Sequence, residues 1–369
     1  MEAPHGSARI FGLDVMRAVA ILWVVLSHGD DLLAAHWPLR PGTTGFDGVD
    51  LFFVLSGYLV GGLVLRACVQ GGAPWHRQLL DLWQRRWFRT LPNYYLFLLL
   101  NITLVAAGLA PGLLNRNTAA YFVFLQNLWK PLDLFFWESW SLAVEEWFYL
   151  LFPVLVLLVR SGLRTDARRA YLLATLALIA LPALYRLALP VPQDLFTADL
   201  YVRKMVPARL DAIGFGALAA WAHVMFPLVW RQVRVACAVV GAVVLMLTAA
   251  FVDAGHLAFV VRWSYGLSAL AMALLLPLLS TWSLRPWWGR PVVFLSLVSY
   301  ALYLTHLPLR SLFLPMTDGV AAGGALLVYV LWWASAIVLA WAVHRWWERP
   351  FMALRERFSR RLAVSAPSA

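Results

Sequence analysis

Histidine is the side chain whose ordinary pKa best suits proton transfer near neutral pH. His28 and His306 stand in or at the end of apolar stretches long enough to cross a bilayer. His28 closes the stretch LDVMRAVAILWVVLSH, which also holds Arg17. The next stretch, GVDLFFVLSGYLVGG, carries Asp50 near its start, and WSLAVEEWFYLLFP carries Glu145 and Glu146. An ionisable group at bilayer depth is costly and marks a functional candidate. Arg17 and His28 are eleven residues apart. On a helix that separation returns to within about 20° of the starting direction and rises roughly 16 Å. The spacing fits a polar track along the inside of a bundle. It fits equally an arginine at one interface and a histidine at the other.

Each constellation has a chemical reading and a plainer one. His28 beside a carboxylate, Asp50 or a glutamate, is poised as a general base; otherwise it satisfies a loop carbonyl at the membrane edge. Glu145 and Glu146 point about 100° apart, so only one faces a given cavity. Glu145 has Tyr149 at i+4, whereas Glu146 has Leu150. Both are otherwise interface carboxylates paired with arginine. Ser299, Tyr303 and His306 make a polar stripe at i, i+4, i+7, suited to substrate or to hydrogen bonds between helices. Arg86-x-x-Arg89 places two guanidinium forks close together on a helix, a geometry that suits phosphates. The pair alone fits a simple topology signal better. Gly57-x-x-x-Gly61 is read as packing.

The elements that must position these groups follow from composition. The 369-residue chain is 62% hydrophobic and 13% charged with mean hydropathy +0.73, outside the range of soluble domains. It is expected to be an all-α polytopic transmembrane bundle. Ten segments are long enough to span: about 10–29, 46–66, 91–110, 139–159, 170–189, 206–223, 235–252, 263–280, 292–314 and 321–344. The first is read as a transmembrane helix and not a removable signal peptide. Leu91-Pro92 is read as the start of the third. Alternate loops carry twenty Lys and Arg on one side and six on the other, so both termini are expected in the cytoplasm. His28, Asp50, Glu145, Glu146, Asp211 and His306 then share the outer half, and Arg77 to Arg89 lie inside. The net charge of +11 is dispersed through loops and excludes a nucleic-acid face. Cys68 and Cys237 fit neither a disulfide nor a metal site, and no metal or nucleotide-hydrolysis motif is present.

Six stretches in order, LDVMRAVAILWVVLSH, GVDLFFVLSGYL, RRWFRTLP, WSLAVEEWFYLLFP, RLDAIGFGALAA and SYALYLTHLP, make the chain resemble the membrane-bound acyltransferase family 3. Its members are integral-membrane O-acyltransferases of bacterial cell-envelope glycans and some secondary metabolites. The resemblance implies an acyltransferase domain over 1–350 and a basic cytoplasmic tail over 351–369. That tail either lies on the anionic inner leaflet or is solvated. It implies that His28 is catalytic and that Arg86 and Arg89 hold an acyl-CoA donor. It also implies roles for Asp50, Ser56, Glu145 and His306; Arg17, Tyr149 and Tyr303 are read from their positions as donor- or substrate-binding residues beside them. The expected cofactor is acyl-CoA, by default acetyl-CoA, with no metal. The expected partners are a carbohydrate acceptor, membrane lipids and separate glycan-synthesis proteins, in the bacterial inner membrane. Longer members carry an extracytoplasmic esterase-like domain. A chain ending soon after segment ten is expected to deliver the acyl group itself or through a partner. Alternatives are acylation of a small glycosylated metabolite such as a macrolide and, in another class, transport of a glycan precursor; a non-catalytic scaffold is disfavoured.

Overall fold

The computed structural model describes residues 9–37, 47–70, 75–133 and 135–354. Most of the expected basic tail, residues 355–369, lies outside them. Among the described residues there is no strand. Ten long helices carry the structure: α1 Phe11–His28, α2 Gly48–Gln70, α3 Trp75–Ala106, α4 Ser139–Gly162, α5 Ala167–Ala188, α6 Leu210–Met225, α7 Arg234–Asp253, α8 Leu257–Leu279, α9 Gly289–Phe313 and α10 Ala322–Val343. Eight are long and apolar enough to cross a membrane. The other two are α3, whose first half carries arginines, and α6, which has only 16 residues. The chain is an all-α polytopic bundle.

Two packing decisions place the site. First, α1 and α9 run parallel and in step. Phe11 packs by Gly289, Arg17 donates to Ser296 at 3.2 Å, and His28 meets His306. The eleven-residue spacing of Arg17 and His28 therefore puts both on the face toward α9. Second, α2 and α6 approach until only glycine fits. A Cβ on Gly57 would land on the Ile213 carbonyl oxygen, and one on Gly216 on the Val54 carbonyl oxygen. Without a hydrophobic drive between helices in lipid, such close approach is what holds them. It fixes Ser56 on the face of α2 toward α4, where its hydroxyl donates to Glu145 at 2.6 Å.

One element differs from expectation. Leu91-Pro92 does not start a helix; α3 runs unbroken from Trp75, with Pro92 inside it. Proline's φ is helical, and what it lacks is an N–H. The turn before it is clamped from outside: the Tyr300 hydroxyl donates to the Thr90 carbonyl at 2.8 Å, and the Thr90 hydroxyl to Glu146 at 2.8 Å. Tertiary contacts thus hold a helix that the local sequence would end. The consequence is functional, since Arg86 and Arg89 become rigidly positioned helix residues rather than loop residues.

Glycine positions on α2 give a direct check. Gly62, unlike Gly57, has room for a methyl group. Gly62→Ala should leave the thermal midpoint in detergent unchanged or raised, because alanine is the better helix former. Gly57→Ala should lose about 1–3 kcal/mol through overpacking. Equal midpoints for the two variants would contradict the α2–α6 packing.

Candidate active site

Two cavities lie at different levels of α1. The first, about 760 Å³ counting its open mouth, is lined by Arg17 from α1, Ser56 from α2, Arg86, Arg89 and Thr90 from α3, Glu145 and Tyr149 from α4, and Ser299, Tyr300 and Tyr303 from α9. Four adjacent helices and α1 thus converge on this arginine cavity. Tyr149 donates to Glu145 at 3.0 Å, the i+4 pair expected on α4, and Arg86 lies over the Tyr149 ring, 4.8 Å from its centroid. The question of which glutamate faces inward is settled by α3. Glu145 lines the cavity, while Glu146 turns to Thr90. Among the described residues, neither Arg86 nor Arg89 forms an ion pair, although other surface and core arginines do. Arg17 reaches Asp14 at 3.9 Å, so the Arg86 and Arg89 guanidinium groups, facing one hydrogen-bonded carboxylate, leave the cavity short of negative charge, which an anionic ligand would supply.

The second cavity, about 1050 Å³, holds His28 with Asp31, Trp137, Glu138, Trp140, Arg203, Lys204 and Arg310 among its lining residues. His28 Nδ1 and His306 Nε2 are 2.8 Å apart, and the ring planes lie within 11° with centroids 5.1 Å apart. That separation is what an in-plane ring-to-ring hydrogen bond gives. His306 Nδ1 lies 3.1 Å from the Leu302 carbonyl, which only accepts, so Nδ1 carries the proton. His306 Nε2 is then an acceptor, and His28 Nδ1–H donates to it. In the neutral pair this leaves His28 Nε2 as an open lone pair. The arrangement fixes the tautomer of His28, held by a second histidine held in turn by the backbone, a geometry that could serve a general base. Both nitrogens of His306 are engaged, so it has no N–H for a developing oxyanion.

A thin partition separates the cavities. Val49 lines both. Beside it, the Tyr303 hydroxyl meets the Ser141 hydroxyl at 2.6 Å, and both reach the Glu138 carbonyl, at 3.0 and 3.2 Å. The Tyr303 ring is 5.9 Å from that of His306, so Tyr303 joins the levels.

The sequence-derived candidates fall into three groups. His28 and His306 meet. Arg17, Ser56, Arg86, Arg89, Glu145, Tyr149 and Tyr303 share the arginine cavity. Asp50 is engaged elsewhere: it is buried against Arg209 of α6, and His28 takes its orientation from His306 rather than from Asp50 or Glu145. Asp211 likewise pairs with Arg186, at 2.6 Å. Residues not anticipated are Asp14, Ser296, Thr90, Tyr300 and Glu138. Asp14 takes two hydrogen bonds from Arg9, at 2.5 and 2.8 Å, and one from Ser296, at 2.7 Å. Its place three residues before Arg17, on the same helix face, was the available signal.

Comparison with known proteins gives consistent matches. Residues 10–345 match the family described as "Acyltransferase domain". The chain is 31% identical over 172 residues to "O-acetyltransferase OatA" of Staphylococcus aureus (strain NCTC 8325 / PS 47), covering 42% of this chain and 26% of that protein. It is 25% identical over an alignment of 376 residues to "Putative O-acetyltransferase SACOL0978" of Staphylococcus aureus (strain COL), covering 92% of this chain and 57% of that protein. The chain therefore spans about a quarter to somewhat over half of the length of these relatives.

The Asp50–Arg209 pair makes its own test. Arg209 Nε and Nη1 have no other hydrogen-bond partner among the described residues, so removing Asp50 strands a buried cation. Asp50→Leu should destabilise by about 3–5 kcal/mol, and Asp50→Leu with Arg209→Leu should recover most of it. Thermal unfolding in detergent reads both; a double variant no more stable than Asp50→Leu would refute the pairing as the role of Asp50.

Proposed function

Because this chain belongs to acyltransferase family 3 and is an acyltransferase, we propose that it carries an acetyl group from cytosolic acetyl-CoA to a hydroxyl of a carbohydrate, with His28 as the base. The carrying observation is the directed chain from the Leu302 carbonyl through His306 to His28, which leaves His28 Nε2 open in a ring that lines a cavity. The donor side is supported by the arginine cavity, where Arg86 and Arg89 form no ion pair among the described residues. The positive-inside distribution of Lys and Arg supports opening of that cavity toward the cytosol.

The proposed reaction runs as follows. Phosphates of acetyl-CoA dock on Arg86 and Arg89, and the acyl arm extends along α1. Arg17 stands roughly 16 Å of helix rise from His28. It therefore serves the body of the donor and not the reacting carbonyl. Ser56, Tyr149 and Glu145 form a polar wall for the arm. In the histidine cavity, His28 Nε2 takes the proton of the acceptor hydroxyl as its oxygen attacks the thioester carbonyl. The C–S bond breaks, and the thiolate of CoA leaves with the proton that His28 returns. Capture of the acetyl group by Nε2 before the acceptor is a variant that uses the same open nitrogen.

Purified protein in detergent with radiolabelled acetyl-CoA and a crude cell-envelope glycan fraction tests this. His28→Ala should reduce CoA release by about 10²–10⁴-fold while keeping donor binding. His306→Ala should fall between wild type and His28→Ala. Arg86→Ala with Arg89→Ala should weaken donor binding and leave His28 chemistry intact at saturating donor. Normal turnover in His28→Ala would end both forms of the mechanism. Absence of CoA release from wild type with every glycan fraction would end the proposed activity.

A further inference from the structure

The end of α2 and the start of α3 lie on the side that loop charge assigns to the cytoplasm, and they carry charges that neither the donor reading nor the His28 base uses. A groove of about 820 Å³, counting its open mouth, runs between these two helices and α4. Its apolar walls are Leu63 and Val64 from α2, Leu79 and Leu82 from α3, and Pro153 from α4. Its charged groups are Arg66, Asp81 and Arg85. None of these residues lines the arginine cavity or the histidine cavity.

Arg66 is the group that lacks a counter-charge. Arg85 is held by Asp81 at 2.8 Å, one turn along α3, whereas Arg66 forms no ion pair among the described residues. An arginine near a membrane boundary ordinarily runs its head group out to water. Arg66 does the reverse. Helical side chains lean toward the helix N-terminus, and its Nη1 stands 3.7 Å from the point where a Cβ of Gly62 would be, one turn back into the span. The apolar span covers Gly48–Val69, so this guanidinium lies within about two turns of its end. Arg66 is exposed on the surface of the bundle, and Leu63 beside it is 40% exposed, so this face of α2 meets lipid. A cation at that depth is costly unless an anion meets it.

We propose that this groove seats one anionic phospholipid of the cytoplasmic leaflet, with its phosphate on Arg66 and an acyl chain along Leu63, Val64, Leu79 and Leu82. Charge complementarity selects the lipid. Arg85 and Asp81 cancel, so the groove carries one net positive charge, that of Arg66. This matches a headgroup with one net negative charge, such as that of phosphatidylglycerol. A choline headgroup brings its own cation beside Arg66 and loses the advantage. The planar guanidinium fork suits phosphate oxygens, and the apolar walls suit a chain that free phosphate does not have. Occupation of the groove needs neither an acyl donor nor His28, so the site stands apart from the acetyl-transfer reading.

Native mass spectrometry of the purified full chain, released from detergent, reads the site. The probes are phosphatidylglycerol, phosphatidylcholine with the same chains, and glycerol 1-phosphate. Wild type should hold one phosphatidylglycerol about fivefold more tightly than phosphatidylcholine, the difference expected of one interfacial arginine. Arg66→Gln should lose that preference and about fivefold in phosphatidylglycerol affinity. Asp81→Asn removes a carboxylate from the groove and should hold the lipid at least as well as wild type. Arg231→Gln, on the same side of the bundle and outside the groove, should leave binding unchanged. Unchanged unfolding midpoints certify the variants, and Arg66→Met replaces the glutamine variant if that one does not fold. Equal retention of the two lipids, wild-type affinity in Arg66→Gln, or weaker binding in Asp81→Asn would each overturn the proposal. An equal loss in Arg231→Gln would replace it with diffuse attraction to a basic surface, and displacement of the lipid by glycerol 1-phosphate would replace it with a site for free phosphate.

Discussion

A charge inside a helix bundle in lipid must be paired or reach water, and this requirement orders the whole molecule. Asp50 closes on Arg209 and ties α2 to α6; Asp211 closes on Arg186 and ties α6 to α5. Asp14 gathers Arg9 and Ser296 and ties α1 to α9. Each pair is also a fastening between helices that have little hydrophobic reason to associate in lipid. Once these are made, a short remainder is left. Among the described residues, Arg86 and Arg89 have no ion-pair partner, His28 has one nitrogen without a hydrogen bond, and Glu138 has one such oxygen. The proposed chemistry draws on that remainder.

The remainder is divided by level. Cationic groups collect at one level, and His28 with its orienting histidine collects at another, roughly 16 Å of helix rise away. The parallel register of α1 and α9 makes this division possible, because Arg17 and His28 project toward the same neighbour at two heights. A one-residue slip between the two helices would turn His306 away from His28 by about 100°. The polar stripe on α9 is thus a register device as well as a lining.

Much of this was legible in the sequence because helical periodicity is local. The facing of Arg17 and His28, the Glu145–Tyr149 pair and the stripe of Ser299, Tyr303 and His306 all follow from spacing within one helix. What failed was every question about a partner on another helix. Asp50 and Arg209 are 159 positions apart, and no local pattern couples them. Glu145 and Glu146 could not be separated without knowing that Thr90 waits on α3. Pro92 was misread because its local preference was overruled by Tyr300 and Glu146 acting through Thr90. Glu138 was overlooked because it stands one residue before α4, where a carboxylate reads as an ordinary flank.

Val49, common to the walls of both cavities, has a further meaning for a protein in a bilayer. Two cavities stacked within one bundle join into a passage only if the wall they share opens. A branched apolar side chain beside two hydroxyls in contact at 2.6 Å offers an ion no hydration at that point, so the shared wall is also a barrier to leak.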